Sequence, residues 1–170
     1  MVKPLLEKDL PFLEECVKLA KEAYDQGDAP FGSVLVNHRG DILAKSRNRD
    51  ISLHAMAHPE LELAHWALKN LSAKERREAT MYTSGEHCPM CGGANGWAGI
   101  GTVVYLCAGK QLKSWLYRIK APIPPVAFIP LARVAPGIEL RGPASHADTK
   151  AWKLLKETRE LQILFNRKIA

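Results

Sequence analysis

The sequence lacks most of the features that would remove it from the class of ordinary folded domains. It has no apolar run of about eighteen residues, so no segment is expected to span a membrane. The N-terminus, MVKPLLEKDL, has no apolar core long enough for a signal peptide, which points to a cytoplasmic protein. Cysteines number only four, and in a reducing compartment they suggest metal or chemistry before disulfides. Internal repeats, low-complexity tracts and linkers are missing. So, from His87 to Ile138, is every acidic side chain.

What is present suits one domain over residues 1–170. A hydrophobic fraction of 46% is enough for a substantial core, and 25% charged residues exclude a disordered or fibrous chain. The net charge is +6, but it is unevenly placed. Residues 1–108 hold 12 Lys+Arg against 14 Asp+Glu, a net −2, and residues 109–170 hold 12 against 4, a net +8. A basic C-terminal part can be a solvated face kept for solubility or a surface for phosphates, and its charge alone does not choose between them.

Periodicity divides the chain into ten elements. Leu13, Cys16, Val17, Ala20 and Tyr24 recur at helical spacing after Asp9, and Gly27 closes that helix. Short apolar runs over 31–37 and 41–46 flank His38-Arg39-Gly40 and read as a hairpin. A helix over 59–71 follows, with Pro59 suited to its first turn. Strands are predicted over 79–84, 102–107 and 126–129, and helices over 89–98, 111–119 and 147–165. TVVYLC (102–107) is continuously apolar, as in a strand covered on both faces. The order αββαβαβαβα predicts an α/β fold of three α-β-α layers around a mixed five-stranded sheet. The Pro-rich stretch 121–136 is too apolar for a free tether and is expected to wrap the core.

The chemistry concentrates in two short segments. His58-Pro59-Glu60 is followed, one helix and one strand later, by Cys88-Pro89-Met90-Cys91. Two thiolates and one imidazole make three zinc ligands and leave a fourth tetrahedral position for water, the pattern of catalytic zinc. A structural zinc module without turnover would instead fill that position with a fourth protein ligand. Pro59 and Pro89 each follow a ligand directly, so His58 and Cys88 are expected to cap helices whose positive ends favour the thiolates. Glu60, in the first turn and not a ligand, is the natural general acid/base. His65 lies about 10 Å farther along its helix and is read as a core or surface histidine. His54 is a candidate to support a ligand, and Cys16 and Cys107 are read as buried apolar residues.

These segments together give H-x-E…C-x-x-C, the core of the signature H-x-E…P-C-x-x-C, and the chain resembles the cytidine deaminase-like zinc deaminases. Most of the chain takes part in the resemblance. PFGSVLV resembles the family's first strand, Asn48 in SRNRDI its substrate-contacting Asn, HPELELAHWA its first metal helix, and YTSGEHCPMCGGANGWAGIGTVVY its second with flanking strands. Two positions depart: Pro59 replaces a small residue, and His87 replaces the usual Pro before Cys88. Neither removes a ligand, and His87 is assigned to the turn rather than to substrate.

The resemblance implies a zinc-dependent aminohydrolase in which Glu60 moves protons while water replaces an exocyclic amine. His58, Cys88 and Cys91 would hold the zinc, and a homodimer is expected. GGANGWAG and the last helix are most similar to the guanine deaminase and tRNA adenosine deaminase branch, which implies a free purine-like nucleobase or nucleoside. Asn48, Phe31 and Trp97 are the candidate substrate contacts. Guanine deaminases place a carboxylate after the fourth strand, and the acid-free stretch 87–138 counts against guanine unless Asp148 or a partner subunit supplies one. The alternative is a tRNA-specific adenosine deaminase acting on a flipped-out base, with residues 110–168 on phosphates. GKQLKSWLYRIKAPIPP, however, replaces that branch's Gly- and Ala-rich segment.

Overall fold

The computed structural model describes residues 2–169. One sheet runs in the order β2-β1-β3-β4-β5. Strands β1 (Gly32–Val36) and β2 (Ile42–Arg47) form the expected hairpin, and β1 also pairs antiparallel with β3 (Thr80–Gly85). The remaining strands β4 (Thr102–Cys107) and β5 (Glu139–Arg141) continue parallel from β3. The sheet is therefore mixed, as the hairpin at its start required.

Alternation along the strands sends successive side chains to two cores. Val34, Val36, Tyr82, Val104 and Leu106 pack beneath α1 (Leu10–Asp25) and α7 (Thr149–Ile169). Leu35, Met81, Val103 and Tyr105 pack on the opposite face, with α2 (Pro59–Asn70) and α4 (Pro89–Ala98). Strand β4 is apolar throughout because both of its faces are covered. Cys16 and Cys107 are buried in the first core.

Besides a 3-10 turn at Glu7–Asp9, two short α-helices were not expected. The polar α3 (Ala73–Glu78) is opened by a capping box in which Ser72 Oγ accepts from Glu75 N–H and the Glu75 carboxylate accepts from Ser72 N–H. Helix α5 (Gly109–Arg118) lies where expected, and α6 (Leu131–Val134) precedes β5. The fifth strand itself requires a correction. Residues 126–129 are irregular and mostly exposed, and the strand that completes the sheet is Glu139–Arg141. Pro124, Pro125 and Pro130 surround the apolar run and remove backbone donors, whereas Glu139–Arg141 joins β4 with Leu140 opposite Val103. The order of the ten expected elements is otherwise preserved.

The parallel strands deliver the chain to one end of the sheet, outside their carboxyl ends, where open α/β sheets form crevices. Because β1 runs antiparallel, its start lies beside the end of β3, with Ser33 opposite Thr83. A Cβ on Gly85 would come within 2.9 Å of the Phe31 ring, so glycine there lets that ring lie against the strand end.

Candidate active site

His58 is the N-cap of α2 and Cys88 the N-cap of α4, with Pro59 and Pro89 in the first turns. Cys91, one turn into α4, is fully buried. The His58 Nδ1 atom lies 3.7 Å from Cys88 Sγ and 3.5 Å from Cys91 Sγ, and all three ligand atoms fall within 4.8 Å of one another. Tetrahedral zinc at ordinary bond lengths separates N and S ligands by about 3.6 Å. The donor set and its spacing fit a zinc ion.

The hydrogen bond between the two thiols drives their acidities apart. Cys88 is held low, at about 4, by the hydrogen bond from Cys91 and by His58, against the opposing effect of burial. The same Cys88–Cys91 bond, with burial, pushes Cys91 up. Zinc would displace the Cys91 proton, since thiolates are the ligands. The hydrogen bond to Cys88 also raises the His58 pKa.

Glu60 sits in the first turn of α2, 5% exposed, where the helix dipole favours its charge. Thr83 Oγ1 donates to its Oε1 at 2.9 Å, and Ser33 Oγ donates to Thr83 Oγ1 at 3.0 Å. Below it Asn95, fully buried in α4, donates from Nδ2 to the Glu60 carbonyl (3.1 Å) and the Cys91 carbonyl (2.9 Å). One side chain thus joins the two metal-bearing helices. Asp28, also fully buried, accepts from Ile51 N–H, Ser52 N–H, Ser52 Oγ and the Arg47 guanidinium, and so fastens the loop between Asn48 and His58. Burial works to raise the Asp28 pKa, but those hydrogen bonds outweigh it and leave the carboxyl below its usual value.

A cavity of about 440 Å³ opens over these groups. Asn48 and Phe31 line it, with His58, Glu60 and Cys88. Trp97 does not. It is 92% exposed, because Cys91, Gly92, Asn95 and Ala98 turn inward and leave position 97 on the outer face of α4. His54 and His65 are exposed and take no part in the cavity lining. His87, read as a turn residue, also lines the cavity, 3% exposed, and burial lowers its pKa.

The opposite wall comes from the Pro-rich stretch, chiefly Pro124, Val126, Phe128 and Ile129. Glu86 ties it down, accepting from Gly109 N–H at 2.8 Å and Leu131 N–H at 2.9 Å. This carboxylate lines the cavity just ahead of the acid-free stretch. Asp148 instead accepts from Ala151 N–H at the start of α7. Asp28, Thr83, Glu86 and Asn95 went unnoticed in the sequence because their partners lie far along the chain.

A model of the cytidine and deoxycytidylate deaminase zinc-binding region matches residues 6–107. The guanine deaminase of Bacillus subtilis is 40% identical over 96 residues, covering 55% of this chain and 61% of that protein. A tRNA-specific adenosine deaminase of Bacillus subtilis is 37% identical over 90 residues, 52% of this chain and 55% of its own length. The chain matches less than two thirds of the length of each of these relatives. The solved structure of guanine deaminase from Bacillus subtilis superposes with a TM-score of 0.55 at 32% identity, covering 74% of this chain and 88% of that one.

Proposed function

Since this chain belongs to the cytidine and deoxycytidylate deaminase zinc-binding family, we propose that it is a zinc-dependent hydrolase that replaces the exocyclic amine of a free purine-like base or nucleoside by a carbonyl and releases ammonia. The observation that carries the reading is Glu60, held by Thr83 beside a three-ligand set at the floor of a 440 Å³ cavity.

His58, Cys88 and Cys91 hold the metal in this reading, and no fourth His, Cys, Asp or Glu joins their cluster among the described residues. Zinc bound there supplies a Lewis acid that lowers the pKa of water to about 7. Glu60 does the proton work. Thr83 fixes Oε1, which leaves the carboxylate aligned to take a proton from the attacking water and pass it to a ring nitrogen. Hydroxide adds to the amino-bearing carbon, Glu60 takes the second proton from the added hydroxyl and gives it to the departing amine, and the C–N bond breaks as the carbonyl forms. One water is consumed and one ammonia released. Phe31 and Asn48, in the cavity wall, would stack on and hydrogen-bond the base.

A second reading, a tRNA-specific adenosine deaminase, is supported by the +8 surplus of residues 109–170 and by the Bacillus subtilis relative. Against it, residues 124–130 make the wall beside the site apolar. Ammonia release from guanine, adenine, cytosine, their nucleosides and unmodified tRNA separates the two. Turnover of a free base or nucleoside is expected, and activity on tRNA alone, falling steeply with salt, would overturn the choice. The homodimer belongs to the same proposal, is supported by the exposed Trp97 and Met56, and is checked by light scattering. Among the described residues no helix is long and apolar enough to cross a membrane.

A further inference from the structure

Two polar side chains in the cavity have hydrogen-bonding atoms that the fold leaves unused. Asn48 is 1% exposed, and its Oδ1 has no partner among the described residues. Its backbone is fixed, since Asn48 N–H donates to the Phe31 carbonyl and its own carbonyl accepts from Arg47. His87 is buried as deeply, and neither ring nitrogen has a partner among the described residues. An unmade buried hydrogen bond costs about 1–3 kcal/mol, so folded proteins seldom keep one without a use. Here the two residues that carry three such atoms both line one cavity, together with the metal ligands His58 and Cys88. No turn contact accounts for the imidazole, and the wall formed by Pro124, Val126, Phe128 and Ile129 offers it no side-chain donor or acceptor.

We infer that His87 is a substrate-binding residue that, together with Asn48, reads the hydrogen-bonding edge of the heterocycle and so sets which bases are accepted. Asn48 Oδ1 can only accept and therefore calls for an N–H on the ligand. An imidazole with one N–H calls for a carbonyl or ring nitrogen, and its second nitrogen accepts. The matching ligand is a planar base with a ring N–H and an adjacent acceptor. This rests on the deaminase reading for the orientation of the base, but the contact itself can be tested without turnover.

The test uses zinc-loaded protein carrying Glu60→Gln, with and without His87→Phe or His87→Gln, titrated calorimetrically with guanine, 2,6-diaminopurine and cytosine. Zinc content is measured on every sample. His87→Phe should weaken binding about tenfold or more with zinc unchanged, and His87→Gln should recover part of the loss and change the order of the three bases. Binding within twofold of the parent in His87→Phe, or no binding of any base to the parent, overturns the inference. Should His87→Phe fail to load zinc, His87→Gln decides. It must change the guanine-to-cytosine affinity ratio at least threefold, and an unchanged ratio overturns the inference. Ammonia release by the protein with Glu60 intact is followed separately. If that protein binds bases through His87 yet releases no ammonia, the deaminase reading fails and the His87 contact stands.

Discussion

The floor of the cavity and its outer wall are built from different material. On the floor, two helix starts and two central strands hold His58, Cys88, Cys91 and Glu60, and buried hydrogen bonds from Thr83 and Asn95 fix their relation. The wall is an irregular Pro-rich stretch that is mostly exposed and is tied at Gly109 and Leu131 by the carboxylate of Glu86. The ligands and Glu60 are placed by regular elements, whereas the wall that faces them is an irregular segment. The same base of reactive groups could therefore serve different amines by changes confined to the wall.

That division predicts that substitutions on the floor cost activity and fold together, whereas substitutions in the wall change substrate affinity alone. The largest effect is expected for Cys91→Ala. Losing a fully buried ligand should leave less than about 0.1 zinc per chain and lower the melting temperature, both read on the purified protein. Retained stoichiometric zinc would show that the ligand set is wrong. Asn95→Ala comes next. It removes the hydrogen bonds to the Glu60 and Cys91 carbonyls and should cost about 1–2 kcal/mol of stability, with a several-fold drop in kcat at unchanged KM. If kcat holds while stability falls, Asn95 supports the fold but does not position Glu60.

Acid offers a smaller and more selective test of the floor. The Asp28 carboxyl has a folded pKa below its unfolded value of about 3.9, so its contribution is complete above that pH and is lost as pH falls toward the folded pKa. Melting temperatures taken from pH 6 down to pH 3 should fall more steeply for the native protein than for Asp28→Asn. Parallel curves would remove Asp28 as the fastener of the 49–58 loop. The smallest structural effect is expected in the wall. Phe128→Ala should raise KM a few-fold with kcat at saturation and zinc content unchanged, and stability should stay within about 0.5 kcal/mol. A large loss of stability there would make the wall part of the core and erase the contrast with the floor.

The same contrast governed what the sequence revealed. His58, Glu60, Cys88 and Cys91 were legible because short spacings, each beside a helix-starting proline, fix them locally. Strand β4 was legible because burial on both faces leaves a continuous apolar run. The wall misled: an apolar segment between prolines at 126–129 resembled a strand, whereas the true β5 is three residues long and owes its place to pairing with a strand more than thirty residues earlier. Helix α3 has no apolar stripe, although Ser72 and Glu75 carried the capping-box signal. His87 could be placed only by the fold, since nothing local to it shows that its ring nitrogens go unpaired in a cavity.

The central claim is that Glu60 moves the protons of a hydrolytic deamination on this floor. It is tested most directly by comparing ammonia release from free bases and nucleosides by the native protein and by Glu60→Ala at equal zinc content. Ammonia should appear in step with loss of substrate for the native protein, and at a rate about 10²–10⁴-fold lower for Glu60→Ala. Equal rates in the two proteins, or no ammonia from any base or nucleoside with the native one, would contradict it.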